Sequence, residues 1–304
     1  MKASFFLLVI SFLGFSISCS QPIENDEMEI TNSINNPINL DSALKVLILG
    51  NSFSVDVTDY LNEIVENAGI NQFQLAVYNG VKNGGALKDW INRYNSDYTV
   101  NLNRVTGKID MLSNHNLRTI LNQDWDIVVL LEVSSKSFDW DTFKEDMPVL
   151  IGLVKKQCTN NQVQIAYQIP WGHTLNSTPS ELKGNIYCAR KAIEELGVNL
   201  IVPVGVAIQN VRNTYLNNDA YLTRDNWHLA PGVGKYVAAC TFYESIIAPL
   251  SHVGIVGTKP IHELDNQEKS SKGSVTVDDS NCLLCQKCAY YAVKDTFTVR
   301  TAIP

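Results

Sequence analysis

Positive charge is scarce in this sequence. Its 304 residues carry 24 Lys and Arg against 31 Asp and Glu, a net charge of -7. The basic surface that a phosphate backbone requires is missing, which excludes nucleic acid as a partner. Also missing is an apolar run long enough to cross a bilayer. The N-terminal run FFLLVISFLGF falls well short of the roughly 20 residues that a transmembrane helix needs. The third deficit concerns metal ligands. Cys282, Cys285 and Cys288 repeat a C-x-x-C spacing, but the next ligand of an iron–sulfur run would fall at Ala292, and no His or Cys follows. Leu284, Ala289, Ala292 and Val293 fit helical spacing, so these are read as core or disulfide cysteines. No metal and no cofactor is expected. Cys158, Cys188 and Cys240 bring the count after Cys19 to six, with no readable pairing.

What is present suits one large core, since 45% of the residues are apolar. Lys2, the apolar run and Ser16-Ile17-Ser18 lead into Cys19. This order resembles the lipobox of bacterial lipoproteins, and its alternative is an ordinary secretory peptide cleaved nearby. The expected organisation is a signal peptide over 1–18, a lipidated N-terminus and linker over 19–44, and one domain over 45–304. Gln21 to Ser42 is polar and Asn-rich, as a tether would be. The protein is therefore expected to be exported, as a periplasmic, outer-membrane or cell-surface lipoprotein that meets the membrane through lipid on Cys19.

Strand and helix patterns alternate along the domain. Lys45 to Leu49, Gln72 to Tyr78, Trp125 to Val133, Val163 to Ile169 and Asn199 to Val204 read as strands. Ser54 to Ala68, Phe143 to Cys158, Ser180 to Leu196 and Gly232 to Ser245 read as helices. The polar, aromatic stretch from Asp89 to His115 reads as a loop or irregular excursion, with a short helix near Leu117 to Leu121. Such alternation predicts an α/β fold, a parallel sheet with helices on both faces.

Two motifs carry the chemistry. The first strand runs into Gly50-Asn51-Ser52 and then into a helix, which places a hydroxyl at the carboxyl end of a strand and at a helix N-terminus. Far downstream, LTRDNWHL supplies Asp225 and His228 on one short loop, an imidazole with its orienting carboxylate. Strand-GNS-helix together with D-x-x-H resembles the SGNH hydrolases, a superfamily of esterases and lipases, and in particular a bacterial subgroup of exported proteins. The resemblance covers about Lys45 to Ile246. It implies a three-layer α/β/α sandwich with a five-stranded parallel sheet, flavodoxin-like, in the order 2-1-3-4-5.

The resemblance also implies roles. Ser52 would be the nucleophile, His228 its base and Asp225 the imidazole's partner. Gly84, with Gly85 competing, would offer a backbone N–H to the oxyanion. Relatives tend to have glutamine at the end of the third strand, where this chain has Leu131 and Glu132. An ionised carboxylate there would oppose a developing oxyanion, so Glu132 serves only if protonated, if it binds a sugar hydroxyl or if it faces elsewhere. Asn51 or a backbone group would then substitute. Trp171, Gln209 and Arg212 are the expected substrate contacts, and His173 is read as a solvated loop histidine. The expected substrate is an ester, an acetyl group on carbohydrate above all. The alternative is a catalytically impaired protein of the same fold that only binds carbohydrate.

Overall fold

The computed structural model describes residues 43–173, 178–217, 222–259 and 273–304. The expected signal peptide, Cys19 and nearly all of the expected linker lie outside these residues. Eight strands occur among them: β1 (Leu44–Gly50), β2 (Leu75–Val81), β3 (Thr99–Val100), β4 (Leu102–Gly107), β5 (His115–Asn116), β6 (Ile127–Leu130), β7 (Gln164–Gln168) and β8 (Leu200–Val202). The helices are α1 (Ser52–Thr58), α2 (Leu61–Asn67), α3 (Leu87–Tyr94), α4 (Leu117–Leu121), α5 (Trp140–Gln157), α6 (Thr178–Leu196), α7 (Val204–Arg212), α8 (Val233–Phe242), α9 (Ala248–Ser251) and α10 (Cys282–Lys294).

The main sheet has six strands in the order β4-β2-β1-β6-β7-β8. Its five parallel strands keep the expected 2-1-3-4-5 sequence, with β1 between β2 and β6. The sixth strand corrects the expectation. β4 lies inside the stretch read as an irregular excursion and pairs antiparallel with β2 across a bulge at Val77/Tyr78. Its sequence, LNRVTG, offers only two apolar residues, so the partner edge of β2 rather than its own pattern makes it a strand. Gly107 ends it at φ +89, where a Cβ would collide with the Leu75 carbonyl. α3 also runs from Leu87 into the beginning of this stretch, to Tyr94. The long first helix also divides into α1 and α2 around Asp59 and Tyr60.

Strand alternation separates two apolar cores. Val46 and Ile48 of β1 face one with Phe53, Val57 and residues of α2, α7, α8 and α10, while Leu47 and Leu49 face the other with residues of α3, α4, α5 and α6. Both faces of β1 are thus covered, which accounts for its nearly unbroken apolar run. The arrangement is a three-layer α/β/α sandwich.

Candidate active site

The site is built where β1 gives way to α1. Gly50 is required there, because a Cβ at this position would lie 2.1 Å from Ser54 Oγ. Asn51 then caps the helix, its Oδ1 accepting from the Phe53 N–H at 3.0 Å. Ser52 follows as the first helical residue, where backbone N–H groups have no partner inside the helix.

A tight turn supplies the other half. Asp225 Oδ1 accepts from the N–H groups of Trp227 at 2.9 Å and His228 at 2.7 Å. Asn226 permits this closure by adopting φ +69, a left-handed conformation that Asn tolerates well. The second carboxylate oxygen, Oδ2, lies 2.7 Å from His228 Nδ1. On the opposite side of the ring, Nε2 lies 2.9 Å from Ser52 Oγ. Serine, imidazole and carboxylate therefore form one continuous hydrogen-bonded chain. Desolvation pushes the Asp225 carboxyl upward, but the N–H and ring of His228 and the N–H of Trp227 together pull it down to about 2. It stays ionised across the neutral range.

These groups open onto a cleft of about 420 Å³ lined by Asn51, Ser52, Phe53, Asn83, Gly84, Val133, Ser134, Trp227 and His228. Gly84 and Gly85 now separate. The Gly85 N–H donates to Lys82 O at 2.7 Å and its carbonyl accepts from Asn51 Nδ2 at 3.0 Å, so its polar groups are committed to the turn. Gly84 lies in the cleft wall at φ +62. The Asn51 amide is directed at the carbonyls of Gly85 and Glu132, which makes it a brace between two loops rather than a free donor.

Glu132 does not line the cleft. Its side chain is 2% exposed, and Oε1 accepts from the N–H of Val133 at 2.6 Å. Burial pushes this carboxyl up to about 7, against a smaller opposing pull from the backbone N–H groups of Val133 and Leu87. Of the uses considered for it, facing elsewhere is the one the geometry fits.

The three expected substrate contacts also lie away from the cleft. Trp171 is 1% exposed, stacks on Phe53 with ring centres 4.1 Å apart, and donates from Nε1 to the Trp227 carbonyl at 2.7 Å. Arg212 is buried and donates to Gly172 O at 3.0 Å, with burial lowering its guanidinium to about 10 against the opposing charge of Glu181. Gln209 donates to Asn213 Oδ1 at 3.3 Å along α7. All three act as scaffold. His173 is buried too, rather than solvated, with its N–H on Glu181 and its ring 4.2 Å from that of Trp227. Five cleft residues are not marked by the sequence motifs: Phe53, Val133, Ser134, Asn83, which is exposed beside Gly84, and Trp227, which is 49% exposed. Trp227 sits inside D-N-W-H, so its nearness to the imidazole was legible.

A family model described as "Domain of unknown function (DUF4886)" matches residues 45–253, over two thirds of the chain. The chain belongs to the DUF4886 family. A crystal structure of a DUF4886 family protein from Bacteroides uniformis is 22% identical, superposes with a TM-score of 0.70, and matches over 86% of this chain and 98% of its own. A proposed SGNH hydrolase from Slackia heliotrinireducens is 18% identical with a TM-score of 0.48, over 67% of this chain and 99% of its own. An acetylxylan esterase from Geobacillus stearothermophilus is 13% identical with a TM-score of 0.48, over 68% and 95%. The first likeness is one of fold, and the other two are too slight to carry an argument. No curated protein matches the chain.

The DUF4886 match ends before α10. That helix packs against α7 and α8, and Cys282, Cys285 and Cys288 are buried in the core it completes, as their helical spacing suggests. The six cysteines of the described residues are free and buried.

Proposed function

We propose that the protein is a serine esterase that releases acetyl groups from carbohydrate through an acyl-serine intermediate. One observation carries the reading, the chain from Ser52 Oγ through His228 to Asp225 at 2.9 and 2.7 Å. His228 Nε2 takes the hydroxyl proton as Ser52 Oγ attacks the ester carbonyl, and Asp225 stabilises the imidazolium that forms. The N–H groups of Ser52 and Gly84, with the Asn83 amide as the side-chain donor, receive the oxyanion. The imidazolium then protonates the departing sugar oxygen, and water attacks the acyl-serine with the same imidazole as base. Trp227 at the cleft edge offers an aromatic face to a sugar ring, and Phe53 and Val133 give the cleft an apolar wall against which the methyl of an acetyl group would lie.

The test is acetate release from acetylated glycans and from a small activated acetate ester. Ser52→Ala is expected to lower kcat by about 10³- to 10⁶-fold while glycan binding survives. If the wild type releases no more acetate than this variant but still binds glycan, the protein is instead a carbohydrate-binding member of the fold. That second reading draws on the absence of a glutamine at Leu131 and Glu132. We also propose export and lipidation at Cys19. Cys19→Ser is then expected to move the protein out of the membrane fraction, and an unchanged distribution would refute the anchor.

A further inference from the structure

The helix that begins with Ser52 also grips the turn that carries His228. Asp56 lies one helical turn beyond Ser52 on the same side of α1. It is 1% exposed. Its Oδ2 accepts from the Leu229 N–H at 2.8 Å, and Oδ1 accepts from Arg224 Nη1 at 2.9 Å. Arg224 also donates to the Leu229 carbonyl. Residues 224 and 229 bracket the Asp225–His228 turn, so one carboxylate holds both of its ends. Two further bonds continue the seam: Gly232 N–H to Tyr60 Oη at 3.1 Å, and Lys235 Nζ to Asp59 Oδ2 at 2.7 Å.

A buried carboxylate is costly unless it is paired and hydrogen-bonded. Burial does raise the pKa of Asp56, against the opposing charges of Arg224 and Lys235 and the Leu229 N–H. Its retention inside the protein calls for a function beyond packing. The geometry supplies one, since the Ser52–His228 contact joins groups 176 residues apart on two separate elements. Such a contact needs support to hold it within about 0.5 Å.

We propose that Asp56 is a positioning residue that, with Arg224, clamps the Asp225–His228 turn onto the nucleophile's helix and sets the distance from Nε2 to Oγ. The kinetic consequence rests on the esterase reading; the geometric claim does not. Asp56→Asn keeps the size and the acceptor for Leu229 but turns an amide donor toward the donors of Arg224. It is expected to lower kcat by about 10- to 100-fold with KM changed less than about threefold, as a shift of about 1 Å would do. Arg224→Gln, at a partly exposed side chain, breaks the same clamp from the other side and serves where Asp56→Asn does not fold. The double variant is expected to lose no more than the worse single, because the two residues act as a unit.

A second readout is the downfield proton resonance of the His228 Nδ1–H bound to Asp225. It is expected to broaden or disappear in either variant while the circular dichroism spectrum stays native. If the folded variants retain both the wild-type kcat and that resonance, the proposal is overturned. If kcat falls only in proportion to the folded fraction and the resonance is unchanged, Asp56 is structural and the proposal is also overturned. If the wild type has no esterase activity but the resonance is lost in the variants, the clamp stands and the esterase reading fails separately.

Discussion

The substitution Glu132→Gln changes how stability depends on pH. In the folded protein this carboxyl titrates near 7, chiefly through burial, against an ordinary value of 4.5. A folded-state value above the unfolded one means that the native protein holds the proton while the unfolded chain has released it. Stability from this group is therefore fully present below about pH 4.5, declines as pH rises, and is gone above about pH 7. At about 1.4 kcal/mol per tenfold change in affinity, the difference corresponds to about 3 kcal/mol. The introduced amide would keep the acceptor that Val133 N–H uses at 2.6 Å and would carry no charge at any of these pH values. The variant is expected to match the wild type near pH 4 and to exceed it by up to about 3 kcal/mol near pH 8. Urea unfolding at steps across that range measures it, with the difference between the two proteins plotted against pH. A difference that stays constant across the range refutes the argument, because it would mean that Glu132 is solvated and titrates like an ordinary carboxyl.

Two other substitutions separate roles within the site. Asn83→Ala removes the side-chain amide beside Gly84 and is expected to lower kcat by about 10²- to 10³-fold with KM nearly unchanged, which steady-state kinetics on an acetate ester would show; an unaltered kcat would leave the oxyanion to backbone N–H groups. Trp171→Phe preserves an aromatic ring against Phe53 but leaves the Trp227 carbonyl without the donor now at 2.7 Å. It is expected to cost about 1 to 3 kcal/mol in urea unfolding and to lower kcat, whereas a stability equal to the wild type would show that the hydrogen bond is replaced by water.

The parts of the site that could be read from sequence are those whose meaning is local. Gly50-Asn51-Ser52 after an apolar strand and Asp225 to His228 within one turn each define their own geometry, and the alternation of strands and helices carries the parallel order of the sheet. β4 was hidden because an antiparallel edge strand with Leu102 and Val105 as its apolar residues has no pattern of its own. Trp171 and His173 are hidden for another reason. An aromatic or charged residue just after a strand has the same sequence appearance whether it faces a ligand or turns under the neighbouring loop, and only the packing of Phe53 and Trp227 decides. Asp56 carries no signal in the sequence that it is buried. Its burial depends on Arg224, a partner 168 residues away.

The order in which the elements appear along the chain has a consequence for biogenesis. The last strand, β8, ends at Val202, and His228 comes only after it. As the polypeptide emerges from N- to C-terminus, every strand of the sheet is delivered before the imidazole, so Ser52 is in place while its hydrogen-bond partner is still to come. The same downstream segment brings α8, which covers Phe53, Val57 and the buried side of β1. Burial of that face and arrival of the imidazole are therefore one event. A chain interrupted short of this segment would expose an unprotected apolar surface and would lack the imidazole that Ser52 Oγ meets at 2.9 Å.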